Sequence, residues 1–281
     1  MSKIRILSNN QWTCDNNLPR WADKGLDCST AVRAAGFARM FAEIDADIIG
    51  LQEVTAMMAR AHMQYFEERD AGYALLWGRD TPILYKTEKF ELIDSAYRIY
   101  PESAPGFEGS FNNAMTKSYC VAVLRSKEDG KPLIFGTTHL WWMNGTEGED
   151  YYRAGSHEAR AYQLGLLMDK VAELQAKYAC PAVILGDFNA RRDSLAVQSA
   201  FSRGYKHGRD EAVEFVNPGH GYHHCDGAGF SPYEAKDASH AIDHILVKDM
   251  PHGAVKRYDI YTEDYYMALS DHLPLWIDVE I

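Results

Sequence analysis

No stretch of this chain approaches the ~20 consecutive apolar residues needed to cross a bilayer, so no membrane insertion is expected. Cysteine is scarce. The five, at positions 14, 28, 120, 180 and 225, are odd in number and scattered. They give no disulfide framework and read as free thiols in a reducing compartment. The opening residues, MSKIRILSNNQW, run directly into strand-like sequence. They lack the longer apolar core and small-residue cleavage site of a secretory signal, so a cytoplasmic protein is expected. Positive charge is in deficit, with 29 Lys and Arg against 40 Asp and Glu, a net charge of −11. Non-specific DNA binding draws on Lys and Arg at phosphates, so tight duplex binding is disfavoured, although one local basic patch would suffice for nucleic acid. Internal repeats, low-complexity tracts and interdomain linkers are missing as well. So is any nucleophilic serine or cysteine motif.

What the chain does have is apolar patterning. Its 281 residues are 46% hydrophobic, the composition of a soluble globular protein with a large core. That length allows one large domain or two ordinary ones; no linker is seen, and the expectation is one domain over residues 1–281, acting as a monomer. Short apolar runs bounded by Gly or polar residues predict strands over 3–9, 47–52, 73–77, 81–86, 90–99, 118–125, 132–139, 181–186, 242–248, 254–261 and 274–280. Helices are predicted over 29–45, 54–69, 157–177 and 191–203. In the first, Val32, Ala35, Phe37, Met40, Phe41 and Ile44 recur at helical spacing. In the third, Leu164, Leu167, Val171 and Leu174 do the same. Strands outnumber helices, and 73–139 is strand after strand. The class expected is therefore α/β, layered, with mostly antiparallel sheets. Segments 100–117 and 204–240 stay irregular, and long loops in compact domains are often functional.

Chemistry-bearing residues cluster at the ends of these runs. Asn9-Asn10 follows IRILS, Gln52-Glu53 follows DIIGL, and His139 follows LIFGTT. Asp187-Phe188-Asn189 follows AVILG, Ser270-Asp271-His272 precedes LPLW, and Asp243 lies within AIDHILV. Polar residues at strand ends can converge at one rim of a sheet, where ligands commonly bind. Asp187 and Asn189 are two apart, which on a strand puts both on one face. The carboxylate could align or deprotonate a water while the amide donates to a phosphate oxygen; a plain turn is the alternative. Glu53 suits Mg²⁺, which takes few carboxylates plus waters, or else it is a helix first-turn acid. Asn10 could complete that shell or bond backbone. Asp271 and His272 cannot both face one side of a strand and so require a loop, with Pro274 opening the next strand. His272 suits acid–base work near neutral pH. Asp243, costly to bury alone, is its candidate orienter, whereas His244 alternates to the opposite face and reads as structural. His139 reads equally as a core or a catalytic histidine.

Weaker features surround these. His220, His223, His224 and Cys225 crowd together but lack the paired spacing of a zinc site, and read as a solvated or substrate-facing loop. Trp141 and Trp142 directly follow His139. They are either core or a stacking wall for a base or sugar. Arg160, in the helix start His157-Glu158-Ala159-Arg160, brings charge near a phosphate site or lies on a solvated face.

Taken together, LSNN, GLQE, TTHL, GDFN, IDHI and SDHLP resemble, in that order, the endonuclease/exonuclease/phosphatase superfamily of DNase-like metallophosphoesterases, from Ile4 to Trp276. The pair GDFN and SDH carries most of the specificity. The resemblance implies a four-layer α/β sandwich with two packed sheets inside. It also implies that Asn10, Glu53 and Asp271 ligate or support Mg²⁺ or Mn²⁺, Asp187 aligns or activates water, and Asn189 holds the phosphate. His139 and His272 would stabilise the transition state or transfer protons, with Asp243 orienting His272. One departure stands out. Many relatives carry a Glu just before the strand corresponding to PILYK, supporting the histidine of the HL motif. Here WGRDTPILYK offers Arg79 or Asp80, and an inward Arg79 could bind phosphate instead. The expected activity is Mg²⁺-dependent hydrolysis of a small phosphodiester or nucleotide. A DNA or RNA nuclease is the alternative, and a phospholipid or inositol phosphatase or a non-catalytic binding module is less favoured. Mg²⁺-dependent turnover of a generic diester separates enzyme from binding module.

Overall fold

The computed structural model describes residues 2–13, 27, 29–217 and 241–281. Strand β1 (Lys3–Asn10) leads to helix α1 (Thr30–Ile44), β2 (Ile48–Gln52) and α2 (Ala56–Glu68). Five strands follow: β3 (Tyr73–Leu76), β4 (Ile83–Lys86), β5 (Phe90–Ile99), β6 (Ser118–Ser126) and β7 (Pro132–His139). Then come α3 (Ser156–Tyr178), β8 (Ala182–Asp187), α4 (Leu195–Ser202), β9 (Lys206–His207), α5 (Gly208–Glu211) and β10 (Glu214–Phe215). β11 (Asp243–Lys248), β12 (Val255–Ile260), a 3-10 turn (Asp264–Ala268) and β13 (Leu275–Glu280) complete the described chain.

The strands form two mixed sheets, one ordered β10-β12-β13-β1-β2-β4-β3 and the other β5-β6-β7-β8-β11-β9. Pairings β1–β2, β7–β8 and β10–β12 are parallel and the rest antiparallel. The period-two alternation of β6 explains the layering. Cys120, Ala122 and Leu124 point inward, where they join Ile6, Ile49 and Leu84 of the first sheet in one core. Tyr119, Val121 and Val123 point the other way, into a second core with Leu164, Leu167 and Val171 of α3 and Val197 of α4. Helices α1 and α2 cover the outer face of the first sheet through Phe37, Met40, Phe41, Met58 and Phe66. The layers therefore run helix, sheet, sheet, helix. Gly50 makes the close approach of the sheets feasible, since a Cβ there would lie 2.5 Å from Leu185 Cδ1.

Three details differ from the sequence reading. The buried stripe of α1 is rotated: Val32 is 54% exposed and Ala35 is exposed too, while Arg33 takes the inward position. Its guanidinium donates to the carbonyls of Gln11 (2.6 Å), Trp12 (3.0 Å) and Leu269 (2.6 Å), so the apolar pattern hides a buried cation that ties two turns together. The segment from 204 onward is not structureless, because β9, α5 and β10 lie in it. Asp243 opens β11 rather than sitting mid-strand. The crowded His220, His223, His224 and Cys225 lie outside the described residues. Of the cysteines, Cys120 and Cys180 are buried free thiols, and the other three also lie outside the described residues.

Candidate active site

Register brings the motifs to one end of the sandwich. In the first sheet, Asn10 ends β1 opposite Gln52 at the end of β2. β13 runs antiparallel to β1, so the Ser270–His272 turn that precedes it arrives at the same end. In the second sheet, Asp187 at the end of β8 is flanked in register by His139 of β7 and Asp243 of β11. The local sequence GDFN permits this turn because Gly186 has φ +136°, and a Cβ there would sit 2.0 Å from the Thr138 carbonyl oxygen.

Asp187 is buried and collects donors. Its Oδ1 accepts from the Asn189 backbone N–H (2.7 Å) and its Oδ2 from Asn10 Nδ2 (3.1 Å) and Asn189 Nδ2 (3.3 Å). Asn189, at φ +48°, also donates to the Leu140 carbonyl (3.0 Å). The turn reading and the site reading of this motif thus describe the same structure. Burial pushes the Asp187 carboxyl up. His272, His139 and Lys117 outweigh that and hold it well below the usual range. Asn10 uses its amide oxygen on the Trp12 N–H (2.9 Å), so its NH₂ rather than its oxygen faces Asp187 and Glu53. Glu53 sits at φ +57°, outside α2, whose cap is Thr55. It is not a first-turn helix acid. The Thr13 N–H donates to its Oε2 (2.9 Å), and its Oε1 lies 3.7 Å from His139 Nε2. Despite burial, His139 and Lys117 keep Glu53 below its ordinary value.

His272 Nδ1 lies 2.6 Å from Asp243 Oδ2. Its Nε2 is left facing Asp187 Oδ2 and Asp271 Oδ1, each at 3.8 Å. Burial opposes charge on the ring, yet Asp243, Asp271 and Asp187 together raise its pKa well above the ordinary value. Asp271 Oδ1 is buried without a hydrogen-bond partner. Burial, with Glu53 and Asp187 adding repulsion, pushes that carboxyl up to about 7. His244, on the far face of β11, bonds His207 (3.0 Å) and the Ala190 carbonyl (2.7 Å), away from the cavity.

The sequence reading passed over Lys117. Its Nζ lies against His139 Nε2, inside the same cluster, and burial lowers its pKa despite Glu53, Asp187 and Asp80. Buried Asn112 shapes the loop that delivers it, accepting from the Lys117 N–H (2.9 Å) and donating to the Tyr100 (2.8 Å) and Lys117 (2.9 Å) carbonyls. The one signal available was an isolated lysine immediately before the apolar strand SYCVAVL. Asp80 was the second residue underread. It lines the cavity, its Oδ2 buried and unpartnered, whereas Arg79 is exposed and is not part of the lining. Arg79 takes φ +54°, which turns the chain so that the next side chain points inward.

Glu53, Asp80, Lys117, His139, Asp187, Asn189, Asp271 and His272 share one cavity of about 760 Å³. The expected substrate contacts divide. Trp142 lines the cavity and is 45% exposed. Trp141 touches the cavity but is 2% exposed, its ring packed on Phe111 and its Nε1–H donating to Ser156 Oγ (3.0 Å), so it is mainly core. Arg160 does not reach the cavity lining; it is buried and donates to the Met143 (2.7 Å) and Trp141 (3.3 Å) carbonyls, bracing that loop from behind. Among the described residues, two sets of potential ligand atoms lie within 4.8 Å of one another, Glu53–His139–Asp187 and Asp187–Asp243–His272. The second includes the hydrogen-bonded Asp243–His272 pair, which suits proton handling more than ion binding.

The family model described as "Endonuclease/Exonuclease/phosphatase family" matches residues 26–272. The chain belongs to the endonuclease/exonuclease/phosphatase family. No curated protein gives a sequence match. Solved structures of the same fold include a mannosyl-6-phosphatase of Bacteroides thetaiotaomicron, 20% identical, with a TM-score of 0.73, covering 99% of this chain and 100% of that one. Danio rerio TDP2 complexed with single-strand DNA product is 18% identical, with a TM-score of 0.65 and 100% of both chains covered. The human nocturnin catalytic domain with bound sulfate is 17% identical, with a TM-score of 0.66, covering 99% of this chain and 94% of that one. At such identities the likeness is one of fold, and the endonuclease/exonuclease/phosphatase sandwich hosts phosphatase and nuclease alike. No helix among the described residues is long and apolar enough to cross a membrane.

Proposed function

We propose that the chain is a divalent-metal-dependent hydrolase of small phosphoesters, acting by in-line attack of water. The observation that carries this reading is the meeting of Glu53, Asp187 and Asp271 with Lys117, His139 and His272 in one cavity. Asp187, held low, is a weak proton acceptor and serves chiefly by orienting the water. Protonated His272 presents Nε2–H to the cavity, and together with Lys117 it meets charge developing on the phosphoryl oxygens. Asp243 orients the His272 ring and stabilises its protonated form. Among the described residues the cavity lining offers no serine or cysteine as a covalent nucleophile.

The residues present fit an oxygen-preferring ion. Asp271 carries a buried, unpartnered carboxylate oxygen beside Glu53, a repulsion that a cation relieves. Glu53 and Asp271 would hold Mg²⁺ or Mn²⁺, with Asn10 orienting the carboxylates through its NH₂. Bound there, the ion would neutralise phosphoryl charge and polarise the scissile ester.

A small substrate is favoured over nucleic acid by the lining itself. Glu53, Asp80, Asp150, Asp187 and Asp271 face Lys117 as the one lysine or arginine among the described lining residues. A polyanion would need further cations along its backbone. The test is phosphate or product release from a panel of phosphomonoesters, diesters, nucleotides and oligonucleotides, with Mg²⁺, Mn²⁺ or EDTA. Metal-dependent turnover of small esters above oligonucleotides is expected. Absence of turnover across the panel with both metals would remove the reading, and a preference for oligonucleotides would replace it with a nuclease.

A further inference from the structure

The outer part of the cavity carries a feature that the hydrolytic chemistry does not use. Tyr151 is 70% exposed and sits at φ +55°, a left-handed conformation uncommon for an aromatic residue. Its ring lies 5.4 Å from that of Trp142, itself 45% exposed, at an interplanar angle of 57°. Both rings line the cavity that holds Asp187 and Lys117. Holding a non-glycine residue in this conformation costs energy, and such outliers cluster at ligand sites. The loop is built to keep it there. The Asn144 N–H donates to the Tyr151 carbonyl (3.2 Å), Asn144 Nδ2 to the Asp150 carbonyl (2.6 Å), and the Arg153 N–H to the Asn144 carbonyl (2.8 Å). From behind, Arg160 holds the Trp141 and Met143 carbonyls.

Resting on the reading proposed above, we infer that Trp142, Tyr151, Asn144 and Asp150 form a sugar-binding rim, and that the substrate is a phosphorylated sugar. Three observations select a hydroxyl-rich ring over a base. With their centroids 5.4 Å apart and tilted, the two aromatic rings leave no slot in which a flat base could be sandwiched. They form a platform for the C–H face of a puckered ring. The polar groups beside the platform are acceptors. Asn144 commits one of its two amide hydrogens to the Asp150 carbonyl, and neither its amide oxygen nor the Asp150 carboxylate makes a hydrogen bond among the described residues. Acceptors call for donors, and every hydroxyl around a sugar ring supplies one. Finally, one lysine among five carboxylates suits a single phosphate with a neutral body, and repels the additional phosphates of a nucleoside di- or triphosphate.

The experiment compares hexose 6-phosphates, acyclic glycerol phosphate and nucleoside monophosphates with the wild-type protein and with Trp142→Ala and Tyr151→Ala in Mg²⁺. The wild type should turn over at least one hexose phosphate with the highest kcat/KM. Each variant should raise KM for that substrate by about tenfold or more with kcat within roughly threefold, and the loss should be larger for the ring than for glycerol phosphate. A second arm needs no turnover. Neutral methyl hexosides should perturb the tryptophan fluorescence of the wild type and not of Trp142→Ala. A nucleotide outranking every sugar phosphate overturns this inference and leaves the hydrolase reading intact. So does a KM for the hexose phosphate that moves in neither variant. Hexoside-dependent fluorescence without hydrolysis of any ester would keep the rim and remove the hydrolase.

Discussion

Asp243 opens a strand of one sheet and His272 lies in the turn leading into a strand of the other, so their 2.6 Å contact ties the two sheets together at the cavity. Asp243 opens β11 of the second sheet, while His272 lies three residues ahead of β13 in the first. The pair therefore reports on catalysis and on how the two halves of the sandwich meet.

Asp243→Asn keeps the shape of that contact but removes the charge that keeps His272 protonated. Turnover should fall about 10²-fold or more, as for loss of an orienting or acid–base partner. Asp243→Glu should recover little, because the longer side chain cannot occupy the same buried space. Single-turnover rates of a folded Asp243→Asn within threefold of wild type would show that the pair only holds the sheets together.

Asp187→Asn should abolish most turnover, by about 10²–10⁴-fold, while the backbone hydrogen bond from Asn189 survives. The change is nearly isosteric but removes the charge that orients water. A thermal melt alongside single-turnover kinetics at saturating Mg²⁺ checks it. A folded variant with a near wild-type rate would reduce Asp187 to a turn residue.

Lys117→Met retains length and apolar stem while deleting the ammonium lodged against His139. kcat should drop on the order of 10²-fold, and the fold should persist because a buried cation is costly to keep. Lys117→Arg should not rescue, since the planar guanidinium cannot replace a compact ammonium in that space. Wild-type kcat in Lys117→Met would mean that the residue plays no part in the chemistry.

Buried neutral histidines should take stability away from the fold in mild acid. Burial pushes His62 down to about 3 and His244 down to about 4, and burial together with His244 lowers His207. The unfolded chain binds these protons below its ordinary histidine pKa, near 6.5, while the folded one does not. Their contribution is thus complete above pH ~6.5 and lost as pH falls toward 4, by on the order of 2–3 kcal/mol for His62 and for His244. Urea midpoints between pH 7.5 and 4.5 measure this. Asp271, raised to about 7, stabilises the fold as pH falls over the same range, so the histidine share is read by comparison: His244→Asn should lose less stability between these pH values than the wild type, and equal profiles would contradict the assignment.

The strands, their order of motifs and the family were legible in the sequence, because period-two and helical apolar patterns are local properties of the chain. So was the pairing of Asp243 with His272, since a lone acid in an apolar run requires a partner. The sequence did not decide which neighbour faces in. Trp141 and Trp142 are adjacent, and Ser156 and Gln163 of α3 bind the first and leave the second at the cavity. Arg79 and Asp80 are adjacent, and a left-handed backbone at Arg79 delivers the carboxylate rather than the guanidinium.

Buried cations were the other blind spot. Arg33 and Lys117 look like ordinary surface charges in the chain, and neither is at the surface. Apolar residues declare their burial by recurring at a fixed period. A single charged residue has no period, and its placement depends on acceptors far away in sequence: Leu269 for Arg33, and the carboxylates of Glu53 and Asp187 around Lys117. The sequence by itself thus determined the layers and the end of the sandwich at which the chemistry gathers. The tertiary structure alone decided which charges are drawn into that end, because only long-range packing supplies the partners that make burying a charge tolerable.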